Sequence, residues 1–118
     1  MNIKSKIWLE ENGKPILGIG RLNLLKAVDR EGSISKAARM MKISFRRAWS
    51  ELESAEKNIG IKLLEKRKGG IGGGSSCLTP QAKKLIRKFD QLIDETKTFS
   101  ARRFKSLFDK GRDYDFDV

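Results

Sequence analysis

The sequence has no histidine, a single cysteine, Cys77, and two prolines in 118 residues. Without histidine and with one thiol, the usual ligands of a structural zinc, an intrachain disulfide and the commonest general base are all missing. No metal site and no cofactor is expected. An enzyme would have to work with Asp, Glu, Lys, Tyr114 and Cys77, and no pair among them stands out at catalytic spacing. No catalytic residue is assigned, and the chain is read as a non-enzyme. Long apolar runs are lacking too. Nothing approaches the ~18 residues of a membrane span, and the opening MNIKSKIWLEENGKP has no continuous apolar stretch resembling a signal peptide. The expected compartment is the cytoplasm, with no membrane partner.

What is abundant is positive charge. Lys and Arg number 26 against 15 Asp and Glu, a formal net charge of +11, which is the electrostatic footprint of a polyanion binder. The excess lies within residues 20–110, whereas residues 111–118 are net acidic. The charge therefore belongs to the folded part and not to a basic tail. On charge alone nucleic acid is the first candidate partner and an anionic membrane surface the second. The length suits one domain with a modest core.

Residues 3–10 alternate, Ile3, Ser5, Ile7 and Leu9 against Lys4, Lys6, Trp8 and Glu10, before Asn12-Gly13 and the resumption at Pro15-Ile16-Leu17. Alternation around Asn-Gly predicts a β-hairpin. From Gly20 the apolar period becomes helical (Leu22, Leu24, Leu25, Val28), and Gly32 marks the stop of a first helix over 20–31. Ser33 stands where a capping oxygen belongs, ahead of a second helix over 34–41. Ser44 repeats the device before a third helix over 45–59, in which Ala48, Leu52, Ala55 and Ile59 recur every three or four residues and Gly60 closes the end. Only Lys42 and Ile43 separate the second helix from the next cap, so the two helices cross steeply as a helix-turn-helix.

Residues 61–66 fit a short strand, with Cys77-Leu78-Thr79 returning beside it. Between them lies a basic, glycine-rich loop, Arg67-Lys68-Gly69-Gly70-Ile71-Gly72-Gly73-Gly74-Ser75-Ser76. It is no nucleotide cradle: no Gly-Lys-Ser/Thr follows, and the third glycine of a dinucleotide fingerprint is missing. Thr79-Pro80 then starts a long helix whose seam Leu85, Phe89, Leu92, Thr96, Phe99 repeats like a coiled coil. The fold class expected is mainly α with small β, a winged helix-turn-helix with an N-terminal β-hairpin and a long C-terminal dimerisation helix. Its expected divisions are residues 1–79 for DNA binding, 80–110 for dimerisation and 111–118 as a frayed acidic end.

The third helix opens Ser44-Phe45-Arg46-Arg47-Ala48-Trp49-Ser50, with Glu51, Glu53 and Glu56 only later. A helix presented to a major groove by its N-terminal end needs this polarity, since arginine forks match guanine or phosphate and helix-start amides bind phosphate. Ordinary solvation is the plainer account of such a basic face, and packing of Trp49 inward against the first helix is the alternative to its touching DNA. Ser33, Ser35 and Lys36 at the start of the second helix are placed to clamp a backbone phosphate, although Ser33 also serves as a cap. In the wing, Arg67 and Lys68 carry cations beside Gly72 and Gly73, whose bare backbone can approach phosphates closely. The candidate dimer contacts are Leu85, Phe89, Leu92, Thr96 and Phe99, with packing on the same subunit as the alternative.

The joined pattern GSISKAA, ISFRRAW and GGIGGG followed by LTP closely resembles the N-terminal domain of the ModE family of molybdate-responsive regulators and, more distantly, the DNA-binding domain of LysR-type regulators. The resemblance covers about residues 3–100. It implies a transcription regulator, a dimeric winged-helix domain on double-stranded DNA with a palindromic operator, with Ser44, Arg46, Arg47 and Trp49 on the recognition helix. Full-length family members carry C-terminal molybdate-binding modules, and a sequence ending at Val118 is expected to lack one. Ser100-Ala101-Arg102 is similar to the start of those modules' Ser-Ala-Arg-Asn motif, but Arg103 replaces the asparagine and the match is read as coincidence. A winged-helix module for an acidic protein partner, or for structured RNA, is the alternative reading.

Overall fold

In the computed structural model, which describes residues 1–67 and 74–108, Asn12 and Gly13 both adopt positive φ, 51° and 77°. That is the left-handed pair a two-residue hairpin turn requires. It joins β1 (Leu9–Glu11) to β2 (Lys14–Leu17), antiparallel, with Leu9 opposite Leu17. The predicted hairpin is present but shorter than the alternation over residues 3–10 suggested. Strand β2 ends at Leu17 because Gly18 is already the cap of the next helix, so no chain remains to pair with residues before Leu9.

The three central helices follow the expected boundaries closely: α1 (Ile19–Glu31), α2 (Ile34–Met41) and α3 (Phe45–Ile59). Each break has a local cause. Gly32 takes φ 78° and closes α1 by donating its N–H to the Val28 carbonyl at 2.8 Å. Ser33 Oγ then accepts the Lys36 N–H at 3.0 Å, and Ser44 Oγ accepts the Arg47 N–H at 3.0 Å. Each such cap contributes about 1 kcal/mol. Between α2 and α3, Lys42 occupies the left-handed region at φ 59°, and this makes the turn tight.

The core of residues 7–87, one compact unit of the chain, is built on the apolar face of α1. Leu22, Leu24, Leu25 and Val28 are all at most 2% exposed. Small side chains, Ala37 and Ala38 from α2 and Ala48 and Ala55 from α3, are equally buried and let the helices approach closely. Each buried leucine contributes roughly 1.5–3 kcal/mol.

Strand β3 (Leu64–Arg67) pairs antiparallel with β4 (Ser75–Leu78). It begins later than the apolar run at 61–66 suggested. Ile61 is 38% exposed, and the backbone at 62–63 is engaged across to Thr79, with Thr79 Oγ1 donating to the Lys62 carbonyl at 2.8 Å and the Thr79 N–H to that of Leu63 at 3.0 Å. Helix α4 runs Pro80–Phe108, with Thr79 Oγ1 accepting the Ala82 N–H at 3.1 Å. Residues 80–87, with Ala82 and Ile86 buried, group with the preceding body. Residues 1–6 and the described part of 88–118 form the second unit. The end read as frayed, 111–118, lies outside the described residues. Among the described residues no helix is long and apolar enough to cross a membrane.

Candidate nucleic-acid interface

The acidic residues of α3 explain how its first two turns stay positive. Glu51 accepts from Arg21 Nε at 2.7 Å, and the same arginine donates Nη1 to the Pro15 and Ile16 carbonyls at 2.9 and 3.2 Å. The Glu56 carboxylate accepts the backbone N–H groups of Leu63 and Leu64 at 2.8 and 3.1 Å. Two of the three acids thus bind α3, Glu51 to Arg21 of α1 and through it to the hairpin, and Glu56 to the base of the wing. The wing is also tied from its other strand, where the Ser76 N–H donates to the Gly32 carbonyl at 2.8 Å. These ties orient α3, β3 and β4 with respect to one another.

The exposed end of α3 then carries Ser44, Phe45, Arg46, Arg47, Trp49 and Ser50, all open to solvent. Among the described residues neither Arg46 nor Arg47 has an acidic partner at ion-pair distance. The unpaired amides of the helix start add positive potential to theirs. Ser35 and Lys36 are exposed at the start of α2, whereas Ser33 is half-buried and spends its oxygen on the cap. Trp49 does not pack into the core against α1; it is 41% exposed. The inward stripe of α3 is already filled by Ala48, Leu52 and Ala55, and a residue one position on from Ala48 points about a quarter-turn away.

Phe45 and Trp49 line a concavity of about 260 Å³ with Ile34, Ser35, Lys66 and Ser75. A longer groove of about 610 Å³ continues beside Trp49, Leu52, Glu53 and Leu64. The structure thereby brings the starts of α2 and α3 together with the wing strands. Lys66, Ser75 and Ser76, absent from the sequence-derived site, join it there. Lys66 was visible only as part of a basic run, and the two serines gave no sequence signal. Arg67 ends β3, and Lys68, Gly72 and Gly73 lie outside the described residues.

On α4 the expected seam divides. Phe89 is 2% exposed within the single chain. Leu92 and Phe99 are 44% and 64% exposed, while Leu85 and Thr96 are half-buried. The reason is that a second row at helical spacing, Ala82, Ile86 and Phe89, is the one buried within the chain.

The chain is similar to known proteins. Residues 19–83 match the family of bacterial regulatory helix-turn-helix proteins of the lysR type. The transcriptional regulator ModE of Haemophilus influenzae is 40% identical over 72 residues, 61% of this chain and 28% of the relative. The molybdenum-pterin-binding protein MopB of Rhodobacter capsulatus is 36% identical over 83 residues, 70% of this chain and 30% of its own. The chain thus spans under a third of the length of these curated relatives. In fold it is similar to the CbnR DNA-binding domain solved with DNA, at a TM-score of 0.57 and 18% identity, covering 76% of this chain and 98% of that one. The resemblance read from GSISKAA, ISFRRAW and LTP therefore holds, and from residue 19 to residue 83, the span that carries the helix-turn-helix and the wing strands, the chain belongs to the lysR family of bacterial regulatory helix-turn-helix proteins.

Proposed function

We propose that this chain is a sequence-specific DNA-binding transcription regulator of ModE type, which inserts the start of α3 into a major groove and lays the β3–β4 wing along the neighbouring backbone. The observation that carries the reading is the solvent-open Arg46-Arg47 pair at a capped helix start, on a helix two of whose three acids, Glu51 and Glu56, are occupied in holding the fold. Ser35 and Lys36 serve as phosphate clamps from α2, and Lys66 and Arg67 serve the same end from the wing. Such contacts fix register, while the arginine forks select bases. The names of the relatives, ModE among them, support the regulatory role.

The protein acts as a homodimer on a palindromic operator. Leu85, Leu92 and Phe99 recur every seven residues on α4, and the exposed members of this row are the surface offered to a second copy. A two-fold pair places recognition helices about 34 Å apart, one helical turn of DNA. Selection of bound duplexes from a random library tests the whole reading. An enriched palindrome that outcompetes random duplex is the expected result. Uniform, sequence-blind retention of duplex, or preference for structured RNA or an acidic protein, would replace it.

A further inference from the structure

Two large aromatic rings stand on the face that the proposed function turns towards DNA. Phe45 is 52% exposed and Trp49 41%, and four residues apart on α3 they share one side of the helix. They are not displaced core residues, since Ala48 and Leu52 fill the inward stripe at 0% and 2% exposure. With Ile34 they form the apolar part of the concavity of about 260 Å³, and Ser35, Lys66, Ser75 and Ser76 form its polar part. Rings left in water forfeit the stabilisation of burial, so a surface that keeps them is complete only when something apolar covers them. The cations around them, Lys36, Arg46, Arg47 and Lys66, select a polyanion as the source of that cover.

Within a major groove the base edges present hydrogen-bonding groups, ring C–H and a single kind of methyl group, the 5-methyl of thymine. We propose that the Phe45–Trp49 face reads thymine through this methyl group, adding an apolar selection beside the bases and phosphates engaged by Arg46 and Arg47. This rests on the DNA-binding reading above and deepens it. Cytosine in the same place brings no methyl group to the rings.

The test uses the full chain and a duplex selected from the random library, with deoxyuridine replacing each thymine in turn. The replacement removes the methyl group and keeps the pairing. Binding is followed by fluorescence anisotropy. At one position in each half-site the replacement should weaken binding about fourfold, the effect of burying one methyl. Phe45→Ala and Trp49→Ala, both at exposed positions and each checked for helix content by circular dichroism, should reduce or abolish that difference. If the wild type prefers its selected duplex yet no deoxyuridine weakens it, DNA binding stands and thymine reading is overturned. A penalty that survives undiminished in both variants would overturn it equally. Failure to enrich any duplex would instead remove the DNA-binding reading on which this inference rests.

Discussion

The Glu56 carboxylate, near the end of α3, accepts the backbone N–H of Leu63 at 2.8 Å, so the helix that carries the arginines also holds the entry to the wing. Leu63 is fully buried, and removing the acceptor leaves its N–H without this bond. Glu56→Ala should therefore cost about 1–3 kcal/mol of stability, read from urea unfolding, with Glu56→Gln losing less because an amide oxygen still accepts. Equal stability of Glu56→Ala and wild type would mean that this tie contributes nothing to the fold.

Arg46 and Arg47 are exposed and have no acidic partner among the described residues, so removing them should leave folding intact. Replacing either with Ala should weaken specific binding by roughly 1–3 kcal/mol and relax base preference wherever that arginine reads a base. Equal losses on selected and random duplex would assign the arginine to phosphates.

For the wing, Lys66→Ala and Arg67→Ala should lower affinity for every duplex alike and reduce the salt slope by about one unit per lost phosphate contact. An unchanged slope in both variants would take the wing off the DNA.

The two neighbouring apolar residues of α4 should behave oppositely. Phe89 is 2% exposed and Leu92 44%. Phe89→Asp buries a charge and empties a core site, a loss of at least about 3–5 kcal/mol, and should give a largely unfolded chain. Leu92→Asp should stay folded while the dimer dissociates and operator affinity falls. Sedimentation with circular dichroism separates these outcomes. A wild type that is monomeric at micromolar concentration, or a Leu92→Asp variant that remains dimeric, would end the assignment of this row to dimerisation.

The local elements were legible in the sequence because their causes are local. Ser33 and Ser44 cap the residues that follow them, Gly32 and Gly60 take the left-handed geometry that ends a helix, and Asn12-Gly13 turns a hairpin whatever surrounds it. The two-residue link at Lys42 and Ile43 then leaves two helices little choice but to cross as a helix-turn-helix. Tertiary structure alone decided which surfaces remain after the core is filled. On α4 the rows through Phe89 and through Leu92 both recur every three to four residues, and periodicity cannot rank them. Burial of Ala82, Ile86 and Phe89 within the chain leaves Leu92 and Phe99 outside. Trp49 stays out for the same reason, with Ala48 and Leu52 already occupying the inward side of α3. The uses of Glu51 and Glu56 depend on Arg21, Leu63 and Leu64. These partners lie seven to thirty residues away and outside α3, where the periodicity of that helix carries no information.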